Sequence, residues 1–141
     1  MQKGYTLFEV IIVLSIISII STISVLSLQA ISDKKEQRLL AQLTNDLYLC
    51  QQMALSNAQS TNCLFINTPT PTFLIRQAGR IEFIREYGEH VFFQAGTMGL
   101  AEVIYNTKGN ISKSGTMYVS FNGNRYSIVF LLGRGRFYVS S

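Results

Sequence analysis

The stretch Lys3-Gly4-Tyr5-Thr6-Leu7-Phe8-Glu9, continued by Val10-Ile11-Ile12-Val13-Leu14-Ser15-Ile16-Ile17-Ser18-Ile19-Ile20-Ser21-Thr22-Ile23-Ser24-Val25-Leu26-Ser27-Leu28, decides how the chain is organised. From Val10 to Ser32 no residue is charged. As a helix this run of 23 residues would extend about 34 Å, enough for a hydrocarbon core of roughly 30 Å. A cleaved secretory signal has a shorter apolar region and small residues at a cleavage site. Here the run is longer, no Ala-x-Ala follows it, and a charged helical pattern continues beyond. The segment is therefore expected to remain in the working protein. Glu9 sits at the edge of this run, where a carboxylate at bilayer depth is costly, and no Lys or Arg lies between it and Lys34. Either its carboxylate snorkels to the headgroups, or its cationic partner is created by processing.

The order Gly4-Tyr5-Thr6-Leu7-Phe8-Glu9 after a short basic leader resembles the class III leader of type IV pilins and pseudopilins. The resemblance implies that a membrane prepilin peptidase cuts between Gly4 and Tyr5 and N-methylates Tyr5. It also implies that Glu9, fifth in the processed chain, pairs with the terminal amine of a neighbouring subunit during assembly. Such an ion pair is costly to break in a low-dielectric seam and suits the setting of register. Tyr5 stands where the family usually has Phe, and the span lacks the mid-helix Gly and Pro of many major pilins. The expected division is a leader at 1–4, a transmembrane and assembly helix at 5–32, an amphipathic continuation at 33–60 and an extracytoplasmic β-rich domain at 61–141. Charge alone does not orient the span: Lys3 lies before it, and Lys34, Lys35 and Arg38 lie beyond it with Asp33 and Glu36. The resemblance places the leader inside and the domain outside.

Ser15, Ser18, Ser21, Ser24 and Ser27 recur at every third position and wind around the helix by about 60° per step. Small polar residues let membrane helices approach closely. Alternatively each hydroxyl bonds the carbonyl one turn back and does nothing further. After Asp33, Leu40, Leu43, Leu47, Cys50 and Ala54 keep three-four spacing, widened by Leu39, Met53 and Leu55. With no Gly or Pro between Val10 and Ser60, one long helix is expected, fraying over Ser56 to Asn62.

Beyond Asn62 the period becomes two. Strands are expected at 63–66, 73–77, 80–86, 90–94, 102–105, 116–121, 125–132 and about 136–140, with Ala78-Gly79 and Asn122-Gly123 at turns. One helix followed by many short strands predicts an α+β fold, a long N-terminal helix packed on a small antiparallel sheet. Cys50 and Cys63 are either a disulfide, permitted outside the cell and stabilising by about 3 kcal/mol, or two small buried apolar residues.

In the segment Gly133-Arg134-Gly135-Arg136-Phe137-Tyr138-Val139, an extended chain points Arg134, Arg136 and Tyr138 one way and Phe137 and Val139 the other, toward the helix. On composition this is an ordinary solvated face with a glycine bulge. Read chemically, it offers two guanidiniums and an aromatic ring for phosphate contact and base stacking, with Lys108, Lys113 and Arg125 as neighbours. The Tyr105-Asn-Thr-Lys-Gly-Asn motif, the strand Ile128-Val-Phe-Leu-Leu-Gly and the terminal Gly-Arg-Gly-Arg resemble minor pseudopilins of the type II secretion H and FimT kind. Within that group the resemblance is to the competence pseudopilins of the ComGD type. The FimT likeness, through its terminal Gly-Arg-x-Arg, implies DNA contact through Gly133, Arg134 and Arg136. The partners it implies are other pilins, the prepilin peptidase, the cell membrane and exogenous DNA. A secretion-type or purely structural pseudopilin is the alternative.

The remaining composition bears on other classes. The formal net charge of +4 is mild, below that of a nucleic-acid-coating protein. His90 is the single histidine, and no nucleophile motif accompanies it. Glu82, Glu86 and Glu89 read as solvated charges. Two Cys and one His fall short of a zinc set, and no phosphate-cradling glycine loop opens a helix. The expectation is a non-enzymatic protein without cofactor or metal.

Overall fold

The computed structural model describes residues 6–140, without the side chains of residues 23–33. The chain divides into two compact units, Met1–Ala41 and Gln42–Ser141. One helix, α1 (Leu7–Ser56), is followed by β1 (Thr61–Ile66), β2 (Thr72–Gln77), β3 (Arg80–Glu86), β4 (Val91–Ala95), β5 (Val103–Tyr105), β6 (Gly115–Phe121), β7 (Asn124–Phe130) and β8 (Phe137–Ser140). The class is α+β, as the switch of period from three-four to two predicts.

In the first unit Leu7, Phe8 and the aliphatic side chains from Val10 to Ile20 are exposed. Among the described residues no helix is long and apolar enough to cross a membrane. The side chains at 23–32, the second part of the expected span, lie outside the described residues, as do Ser24 and Ser27. Ser15, Ser18 and Ser21 each donate to the carbonyl one turn back, of Ile11, Leu14 and Ile17, at 2.8 Å. These three hydroxyls are thus satisfied within their own helix, and what the stripe offers a neighbour is small size.

In the second unit the single sheet expected from the sequence is two. Four strands run β3-β2-β1-β5 and four run β4-β6-β7-β8, all antiparallel. The chain leaves the first sheet after β3, where the buried Tyr87 donates its backbone N–H to Pro71 O at 2.7 Å and ends the β2–β3 hairpin, and it returns to that sheet only with β5. Alternation shows which side chains share a face but not which strand is the neighbour, so β4 carried no sign that its partner is β6 rather than β3. Leu43, Leu47, Cys50 and Ala54 of α1 are buried, and the inner faces supply Phe73, Ile75, Phe93, Met117, Val119, Phe121, Ile128 and Phe130. Phe65 stands between Phe73 and Phe93, each ring pair at 5.1 Å, and joins the two inner faces.

The helix ends earlier than expected. Asn57 donates to Met53 O at 3.1 Å and Ala58 turns left-handed with φ 49°. Thr61 and Asn62, expected in a fraying end, begin β1 opposite Gln77 and Arg76. The reason is a buried polar set: Gln77 Nε2 donates to Thr61 Oγ1 at 2.6 Å and to Met53 O at 3.0 Å. Leu55, expected in the apolar stripe, is largely exposed. At the hairpin ends, Ala78-Gly79 and Asn122-Gly123 have positive φ at both residues, the two-residue turn that matches strand twist.

Candidate functional site

Two places carry the residues singled out above, one in each unit. At the helix start, Glu9 N–H donates to Thr6 Oγ1 at 3.3 Å, and Val10 N–H to Thr6 O at 3.3 Å. Thr6 is therefore the N-cap, and Glu9, three residues on, is the acidic residue of a Thr-x-x-Glu capping sequence. A carboxylate in the first turn also complements the positive end of the helix. Glu9 thus has a local role that its spacing from Thr6 already displays and that the pilin reading of the motif passes over. Gly4 and Tyr5, the residues of the expected cleavage, lie outside the described residues.

The second place is the terminal arginine loop. Arg134 and Arg136 are exposed, as expected, but not by strand alternation. β8 begins only at Phe137, and Gly133 and Gly135 adopt φ 106° and 66°. Arg134 is held at the tip between these two glycines. Leu131 N–H donates to Arg136 O at 2.9 Å and closes the loop. Beneath it lies the turn Asn106 to Asn110, which Asn106 organises. Its Oδ1 accepts from the N–H groups of Lys108 and Asn110 at 2.9 and 3.0 Å. Gln51 of α1 ties both loops: its Nε2 donates to Gly109 O at 2.8 Å and to Arg134 O at 3.0 Å. Two carbonyls bound to one nitrogen place Lys108 and Arg134 on the same edge of the domain. A Cβ on Gly135 would collide with Gly109 O, Gln51 Nε2 and the Tyr105 ring, so only glycine fits there.

Tyr105 is fully buried below the loop, and its hydroxyl has no hydrogen-bond partner among the described residues. Burial, and secondarily Tyr48, pushes its ionisation well above the ordinary phenol range. Phe137 faces the helix and packs on Tyr48 at 4.9 Å, whereas Tyr138 is half exposed on the opposite face.

The structure does not gather all the expected cations. Arg125 is the second residue of β7, opposite Ser120 and six residues from Leu131, so it sits about 20 Å along the strand from the arginine loop. Its guanidinium lies over the Tyr118 ring at 3.7 Å. Lys113 pairs with Glu102 at 2.7 Å, and Glu102 is held below the ordinary carboxylate range by the Gly99 N–H first and Lys113 second. The loop site is therefore Arg134, Arg136 and Lys108. From Val103 to Ser141 the chain has Lys108, Lys113, Arg125, Arg134 and Arg136 and no Asp or Glu. That asymmetry was open to counting and attracts anions.

Three further features frame the site. Cys50 and Cys63 form a disulfide with Cα atoms 6.3 Å apart, tying the helix to β1. Asp46 is buried on the apolar stripe of α1, where it accepts from Arg85 Nε at 2.7 Å and Tyr87 Oη at 2.8 Å. Its position between Leu43, Leu47 and Cys50 at helical spacing was the sign that it faces inward. Among the described residues no group of three or more His, Cys, Asp and Glu could hold a metal ion.

Comparison with known proteins bears on the first place. Residues 1–25 match the model of the prokaryotic N-terminal methylation motif. The match supports a type IV pilin-like protein, and its leader implies cleavage by prepilin peptidase and assembly with other pilins. Proteins with this motif are structural subunits rather than enzymes. No curated protein and no solved structure matches the chain.

Proposed function

We propose that the protein is a minor pseudopilin of a DNA-uptake pilus of the competence type. It is made as a prepilin, cut between Gly4 and Tyr5, methylated at Tyr5 and anchored in the membrane by a single span. Its β-rich domain then lies outside the cell. Glu9 sets register with the terminal amine of a neighbour, and the serine stripe lets helices approach. The arginine loop contacts the phosphates of exogenous DNA. The observation that carries the DNA reading is the loop: Arg134 and Arg136 are exposed, Gln51 fixes the backbone between them, and no Asp or Glu lies between Val103 and Ser141.

The test is DNA binding by the processed full-length protein in neutral detergent, read by anisotropy of a labelled duplex. Three phosphate contacts, from Lys108, Arg134 and Arg136, give a salt slope near −2.7, so affinity falls about fortyfold between about 50 and about 200 mM salt. Arg134→Ala/Arg136→Ala should leave a slope near −1. A wild type that binds no duplex at the lower salt rejects the receptor role. A purely structural or secretion-type subunit is the second reading. It is favoured by the exposed Ile66, Ile81 and Ile84 on the first sheet, an apolar patch suited to another pilin. That reading predicts no effect of the arginine pair on transformation and loss of assembly with Glu9→Val.

A further inference from the structure

The outer face of the second sheet is not used by the arginine loop and has an unusual composition. None of β4, β6, β7 and β8 contains an Asp or Glu. Alternation puts Phe92, Tyr118 and Tyr138 on the face away from the core, while Phe93, Met117, Val119 and Ile128 fill the inner one. Phe92 is 52% and Tyr138 51% exposed, values a solvated face tolerates but does not require of two large rings.

Register fixes how these rings are arranged. Tyr138 is opposite Val129, and Val129 is opposite Thr116. Tyr118 is two residues further along β6, and Phe92 is opposite Ser120, two residues further again. The rings therefore step diagonally across the sheet, with Tyr138 to Tyr118 about 12 Å and Tyr118 to Phe92 about 8 Å from strand spacing and rise. Tyr118 lies against Gly96, where a Cβ would collide with its ring, and carries the Arg125 guanidinium on its face. Arg125 thus adds a flat cation to the row, and the Tyr138 end of the row runs into Arg136 and Arg134.

We infer that this face is a stacking platform for single-stranded nucleic acid. The inference rests on the DNA-contact reading of the arginine loop and specifies the form of strand that it meets. Duplex bases show only their edges, in grooves that a flat sheet face does not enter. Unpaired bases offer their faces, and a row of rings beside cations with no carboxylate accepts both the bases and the phosphates between them.

The experiment compares an oligothymidylate, a duplex and polyphosphate of matched charge on the full-length protein in neutral detergent. The wild type should bind the single strand at least tenfold more tightly than the duplex. Phe92→Ser and Tyr138→Ser should each weaken single-strand binding about tenfold and leave duplex binding within about twofold. The chain has no Trp, so Tyr138→Trp gives a signal while keeping a ring, and its emission should be quenched by the oligothymidylate. Duplex binding equal to or tighter than single-strand binding, with Phe92→Ser neutral, overturns the platform and leaves the arginine loop standing. Polyphosphate competing as well as the oligothymidylate also overturns it, because phosphate alone then explains binding. Absence of all binding overturns both readings, whereas unquenched binding by Tyr138→Trp overturns only the platform.

Discussion

Gln51 offers the sharpest test of how the arginine loop is held. Its amide donates two hydrogen bonds, at 2.8 and 3.0 Å, to carbonyls that no other described contact ties to the helix. A neutral hydrogen bond contributes a net of about 1 kcal/mol, and a carbonyl left dry costs somewhat more. Gly109 is buried and Arg134 is exposed, so in Gln51→Ala the first carbonyl loses its partner while the second finds water. The expected loss is about 2 kcal/mol, or roughly 10 °C in Tm for a unit of this size. Gln51→Glu is nearly isosteric but sets a carboxylate against two carbonyl oxygens. It should cost more than Ala at neutral pH and recover as the pH falls and the carboxyl gains a proton to donate. Urea titration of the full-length protein in neutral detergent, followed by near-ultraviolet tyrosine signals, reads both. Duplex affinity should fall several-fold in Gln51→Ala although no charge is removed. A Gln51→Ala variant within about 0.5 kcal/mol of wild type, with unchanged affinity, would refute the clamp.

Three further outcomes are expected. Cys50→Ala/Cys63→Ala opens a loop with a sequence separation of 13 and should cost about 3 kcal/mol; an unchanged urea midpoint would deny the disulfide a stabilising role. Ala78 occupies the first turn position of the β2–β3 hairpin at φ 47°, a conformation that costs an L-residue about 1–2 kcal/mol. Ala78→Asn should therefore raise stability by about 1 kcal/mol and copy the Asn122-Gly123 turn, and a lower Tm in this variant would count against that turn type. Burial and the Asp46 hydrogen bond hold the Tyr87 phenol above its ordinary ionisation range. A folded-state value above the unfolded one gives stability that is complete below about pH 10 and lost as pH rises past it. Tyr87→Phe should shrink that alkaline slope without abolishing it, since Tyr105 is shifted the same way, and an identical slope in the variant would contradict the assignment.

The elements were legible because their signals are local. The three-four spacing of Leu43, Leu47, Cys50 and Ala54 predicts a buried helix face, and all four are buried. Ala78-Gly79 and Asn122-Gly123 marked the two tight hairpins. Pairing between strands was not legible, because β4 and β6 are separated by a loop and by β5, which belongs to the other sheet. Tyr138 does follow alternation within β8, whereas at the arginine loop alternation foretold that Arg134 and Arg136 would be exposed, but for the wrong cause. The chain there is a glycine loop held from outside by Gln51, a contact across 83 positions that no window of sequence contains. Arg125 was misplaced for the same reason: its position follows from β6–β7 register, not from its nearness in sequence to the terminal arginines.

One short segment of helix decides the geometry of the second unit. Asp46 holds β3 through Arg85 and the following Tyr87, and Tyr48 packs on Phe137 of β8. Cys50 is bonded to β1, Gln51 carries both loops, and Met53 O accepts from Gln77 of β2. These ties differ in kind: an ion pair, a ring contact, a covalent bond and neutral hydrogen bonds. Reductant therefore cuts the Cys50–Cys63 tie and leaves the others in place. Of these helix residues, Gln51 is the one with a described bond to the arginine loop. A disulfide variant that stays folded should therefore keep its salt slope for DNA while losing stability, because the guanidiniums are positioned by an amide that reduction does not touch. The same logic separates the loop from the aromatic face: the loop depends on α1 for its shape, whereas Phe92, Tyr118 and Tyr138 are set by strand register alone.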